Sequence, residues 1–153
     1  MRKGSVIFLL IVGILIAVLS GMLMSVQGVC NTGVSQNAGL WVTGTFVSAT
    51  AAAVCLLAWL FTGREGSFAA LWTIQPRYLL LGGVFGAAIT GTVVLAISRL
   101  GTAKAELVIV LAQLVTAYLL AVTGWLQSER EPFVWHKLLA LVLSLGGVIW
   151  YSL

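Results

Sequence analysis

The sequence predicts an all-α integral membrane protein of five transmembrane helices, and three observations lead there. Of its 153 residues, 61% are hydrophobic and only 8% charged, where an ordinary soluble domain carries roughly 25% charged residues. Mean hydropathy is +1.12. The apolar residues fall into five continuous runs, with nearly all charges and both prolines in the breaks between them. A soluble domain of this size lacks the polar groups to cover its surface. The composition therefore excludes a soluble globular enzyme, a disordered chain and a free-standing nucleic-acid binder.

The runs, taken in order, cover about 5–30, 40–61, 78–97, 103–126 and 133–153, each near the ~20 residues that cross a bilayer as a helix. The first follows a basic Met1-Arg2-Lys3 start. A signal peptide would have an apolar stretch of only about 7–15 residues and a small-residue cleavage site. This run is longer and has no such ending, so it reads as a retained helix. The other four follow polar or Gly- and Pro-containing breaks. Helices are close to forced, because lipid leaves no water to satisfy an open backbone. Barrel strands would alternate in polarity over about 10 residues, and these runs are twice that long and uniformly apolar. The whole of 1–153 forms one membrane domain.

Charge speaks to orientation. With five spans, Arg2, Lys3, Arg64, Arg77, Arg130 and Lys137 fall on the N-terminal side and Arg99 and Lys104 on the other. Basic residues favour the cytoplasmic side, which puts the N-terminus in the cytoplasm and the C-terminus outside. Eight scattered Lys and Arg residues form no patch for nucleic acid. Cys30, Cys55 and the single His136 offer no metal-ligand spacing, so neither metal nor cofactor is expected. With no Ser-His-Asp set or paired carboxylates either, an enzyme is not expected.

Four places in the spans carry polar chemistry. Ser20, Met24, Gln27 and Asn31 repeat at helical spacing and share a face. The carboxamides of Gln27 and Asn31 read either as the polar wall of a substrate pathway or as groups bonding to neighbouring backbones where the helix ends. Trp41 opens the second helix on a face with Thr45 and Ser48. An interfacial anchor is the favoured reading, an aromatic wall the other. Glu106 is the carboxylate inside a predicted span, with Gln113 seven residues on. An intramembrane acid suggests proton or cation coupling. Placed near the helix start, it equally suits the helix dipole, and that reading weighs slightly more. Gly82, Gly83 and Gly86 read as helix-packing positions through a GxxxG spacing. No Lys-Ser/Thr follows to make them a phosphate loop.

Together these residues resemble a family. Gln27-x-x-x-Asn31, Pro76-x-x-x-Leu80-x-Gly82-Gly83-x-x-Gly86, Ala112-Gln113 and Leu145-Gly146-Gly147-Val148 are similar in order and spacing to the YdcZ-like family of the drug/metabolite transporter superfamily. The resemblance covers essentially the whole chain. It implies a bacterial inner-membrane secondary transporter subunit for a small metabolite or lipophilic compound. It also implies pairing with itself or a homologous five-helix chain as an antiparallel dimer, with Gln27, Asn31 and Gln113 facing the pathway. Two positions depart from the pattern. Relatives often carry Gly before the glutamine of the fourth helix, where this chain has Ala112, and an acid eight residues after it, where it has Ala121. If that acid couples transport, the role here is missing or has moved to Glu106. The related small multidrug resistance proteins use a Glu in the first helix, which this chain lacks. The rival readings are a non-transporting assembly subunit and a lipid-handling protein.

Five spans place the two termini on opposite sides. An N-terminal epitope is therefore expected to resist protease in intact spheroplasts while a C-terminal one is digested; protection of both would sink the five-span count.

Overall fold

In lipid, helix packing gains little from the hydrophobic effect and depends on close contact between small side chains. The small residues of this chain, and its two single-glycine turns, accordingly set its architecture. The computed structural model describes the backbone of residues 3–152 and the side chains of 7–126 and 128–151. Arg2, the Lys3 side chain and Leu153, which enter the orientation count and the last span, lie outside these. Five α-helices run in order: α1 Lys3–Ala38, α2 Leu40–Phe61, α3 Gly82–Leu100, α4 Thr102–Thr123 and α5 Trp135–Ser152. There is no strand among the described residues.

Four segments are long and apolar enough to cross a membrane: Ile7–Ala38, Leu40–Phe61, Arg77–Leu100 and Thr102–Thr123. The fifth, Trp135–Tyr151, is a shorter apolar helix. At 1.5 Å per residue, the 18 residues of α5 reach about 27 Å, slightly under the ~30 Å hydrocarbon core.

The first helix differs most from its expected bounds. It continues past Cys30 through the polar stretch to Ala38. Side chains in that stretch bond back along the helix: Thr32 Oγ1 donates to the Gly28 carbonyl at 2.8 Å, Ser35 Oγ to Thr32 at 2.9 Å and Asn37 Nδ2 to Gly33 at 3.2 Å. Polar side chains thus cover the helix's own carbonyls, and the backbone has no need to leave the helix.

Glycine then makes the turns. Gly39, at φ 83° and ψ 158°, is the only residue between α1 and α2, and Gly101, at φ 77° and ψ 160°, the only one between α3 and α4. A positive φ suits glycine and strains residues that carry a Cβ. The two hairpins are made alike. In each the glycine N–H donates to the carbonyl four residues back, and its carbonyl accepts from the residue four ahead, Thr43 or Ala105. Both of those residues are completely buried.

Helix α3 is central. It packs on α1, α2 and α4, while α1 also packs on α2 and α4 on α5. The buried set is small: Gly28, Asn31 and Thr32 on α1, Thr43 on α2, Val94 and Ile97 on α3, and Ala105 on α4. At the other end, α4 joins α5 through a pinned connector. The Tyr118 hydroxyl accepts from the Val134 N–H at 3.1 Å, and Glu131 pairs with Lys137.

Overfilling a packed position costs about 1–3 kcal/mol. Ala105→Leu is expected to lower the thermal midpoint of the purified protein in detergent, with Ala53→Leu on the exposed face of α2 leaving it in place. Equal effects of the two would remove Ala105 from the packed core.

Candidate functional site

The polar residues of the spans separate into a buried group and an exposed one. Asn31 is only 8% exposed. One turn before it on the same face of α1, Gly28 is buried against α3 and α4. A Cβ built there would lie 3.0 Å from Ile97 Cδ1, 3.2 Å from Val93 Cγ1 and 3.2 Å from Glu106 Oε1. Three helices therefore meet at a residue without a side chain, and one of the atoms facing it belongs to the carboxyl group of α4.

Glu106 is the fifth residue of α4, and no acidic residue stands in that helix's first turn. The dipole effect falls off within that turn, and this carboxyl stands just beyond it. It points across the seam toward α1. Its Oε1 is buried and, among the described residues, is the side-chain oxygen or nitrogen so placed without a hydrogen-bond partner. A buried polar atom without a partner costs about 1–3 kcal/mol, which makes this an unusual atom.

A groove of about 330 Å3 lies beside the seam, lined chiefly by Thr32, Gln36, Ile97, Ser98, Gly101 and Thr102. It is found where α1 and α3 end and α4 begins. Thr102 stands one turn before Glu106 on the same face of α4, and Thr32 one turn after Gly28 on α1.

Gln27 and Gln113 are exposed, on surfaces that no other helix of the chain covers. Trp41 is 81% exposed at the start of α2. With Thr45, Ser48, Ala87 and Gly91 it lines a second groove, of about 520 Å3, between α2 and α3. The shared face of Trp41, Thr45 and Ser48 is thus the wall of a groove. A Cβ at Gly82, Gly83 or Gly86 would meet nothing within 4 Å, so these glycines take no part in packing within one chain.

Sequence reasoning passed over Gly28 and the groove. The signal was present as the spacing Gly28-x-x-x-Thr32, the same small-residue pattern that drew attention to Gly82 and Gly86.

Apolar helices long enough to cross a bilayer, meeting at a seam that encloses a carboxyl oxygen, define a multi-pass membrane protein with a polar seam. Residues 12–150 match the family described as "Putative inner membrane exporter, YdcZ"; the chain belongs to this family and is a multi-pass inner-membrane protein. No curated protein and no solved structure gives a match.

Valine at Gly28 would force α1 off the seam. Gly28→Val is expected to destabilise the detergent-solubilised protein by roughly 1–3 kcal/mol, while Gly21→Val, with open space around it, changes little. A seam that accepts valine as readily as Gly21 does would show that the close approach is not needed.

Proposed function

We propose that the chain is one half of a secondary transporter that exports a small metabolite or lipophilic compound, with Glu106 coupling transport to protons or cations. The observation that carries this reading is the Glu106 carboxyl, held inside a span with a buried Oε1 that has no hydrogen-bond partner among the described residues. Ionisable groups within membrane spans are costly, and they mark ion pathways and proton relays. Membership of a family described as inner-membrane exporters points the same way.

A second chain, itself or a homologue, completes the unit in this reading. Gln27 and Gln113 carry carboxamides on exposed faces of α1 and α4, where bare lipid would leave them unsatisfied. Facing a partner across a pathway, they would meet water, substrate or protein. Gly82, Gly83 and Gly86 offer a face free of side chains for close helix contact. The antiparallel arrangement suits a transporter built from inverted repeats around a site near the midplane. Asn31 and Trp41 then belong to the substrate pathway, and the cytoplasmic N-terminus follows from the distribution of basic residues.

The test is flux. Proteoliposomes with an imposed pH gradient are offered a panel of small lipophilic compounds. At least one is expected to move in a gradient-dependent manner, more slowly in Asn31→Ala. Glu106→Gln is expected to cut the gradient-driven component about tenfold or more. Gradient-driven flux that survives Glu106→Gln would sink the coupling role. No flux at all, with co-purification of a larger partner, would favour the assembly-subunit reading, and headgroup-dependent lipid scrambling the lipid-handling one.

A further inference from the structure

We infer that the groove over Thr32 and Thr102 is the aqueous entrance to Glu106, and that Ile97 seated against Gly28 is its closed gate. This rests on Glu106 being the coupling group, and it names the route by which water reaches that group.

Three observations meet here. Half of the residues lining the groove, Thr32, Gln36, Ser98 and Thr102, carry hydroxyl or carboxamide groups, in a chain whose exposed helix faces are otherwise overwhelmingly apolar. Its volume of about 330 Å3 matches on the order of ten waters at about 30 Å3 each. It also leads toward the carboxyl. Thr32 follows Gly28 by one helical turn and Thr102 precedes Glu106 by one turn, so both walls run inward to the pair that faces each other at the seam.

Ile97 is the apolar side chain that the groove and the Gly28 seam share. Ile97 lines the groove, is 6% exposed, and brings its Cδ1 against Gly28 from the same side as Glu106 Oε1. Its Cδ1 can move by rotation about χ2 without disturbing the stiff χ1 that Ile97 shares with Val93. A rotamer change at Ile97, or a small shift of α1, would join the groove to the carboxyl without unfolding any helix. Arg99 and Lys104 are the charged residues at this end of the bundle, both exposed, and neither lines the groove.

Thiol accessibility in proteoliposomes tests this without reference to any substrate. In a Cys30→Ser/Cys55→Ser background, single cysteines report reaction with a small, charged, membrane-impermeant thiol reagent supplied on both sides of the membrane. Ser98→Cys is expected to react readily and Leu119→Cys, exposed on the lipid side of α4, to stay unreactive. Glu106→Cys is expected to react slowly with Ile97 in place, severalfold faster with Ile97→Val, which removes Cδ1, and at least tenfold faster with Ile97→Ala. The mild valine change preserves the test if alanine disturbs folding. A Ser98→Cys as inert as Leu119→Cys would remove the entrance, and a Glu106→Cys rate indifferent to residue 97 would remove the gate. Because the readout needs no flux, a working gate beside a Glu106→Gln variant that still couples transport would overturn the coupling role alone.

Discussion

A carboxyl group one turn inside an apolar helix must be enclosed by protein, and in this chain the enclosure depends on the close approach of α1 to α3 and α4 at Gly28. Without a side chain there, α1 lies near enough for Ile97, Val93 and Glu106 to share one contact. Neighbouring features follow from that approach. Asn31 and Thr32, one turn on, become buried, and the Thr32 hydroxyl is turned onto the Gly28 carbonyl. The groove lies beside them, where α1 and α3 end and α4 begins. In a bilayer, where apolar side chains gain little by leaving lipid for protein, a few such small-residue contacts decide where helices sit.

The small size of the buried set is consistent with this. A soluble domain with so many exposed Leu, Ile, Val and Phe residues would aggregate; here those side chains face lipid, and the polar atoms need the explanation. Most hydroxyls in the helices are accounted for by bonds to a carbonyl three or four residues back, as at Thr45, Thr50, Thr90 and Ser144. The Glu106 carboxyl has no comparable local answer.

The fold class was legible because lipid narrows the choices to helices and barrels, and long apolar runs choose between them. The bounds of α2 could be read closely from Leu40 to Phe61. The end of α1 could not, because Thr32, Ser35 and Asn37 look like part of a helix-breaking stretch until their hydroxyls and amide are seen to bond back along the helix. Glu106 was visible as an acid in a span, but its facing partner was not. Glycine gives no periodic signal of its own, and which of 17 glycines touches a neighbour depends on helix rotation. The GxxxG pair at Gly82 and Gly86 stood out by pattern, yet the contact within the chain falls at Gly28. Gln27 and Asn31 share a spacing but not an environment: Gln27 is exposed and only Asn31 is buried at the seam.

The one-residue turns at Gly39 and Gly101 have a mechanical consequence. A connector of several residues acts as slack, letting two helices slide or tilt independently. A single glycine between two continuous helices gives almost none, so α1 with α2, and α3 with α4, form stiff helical hairpins that can act as levers hinged at their tips. Both pivots belong to the end of the bundle that holds the polar groove. A small angular change there would sweep the far ends of the levers through a larger arc.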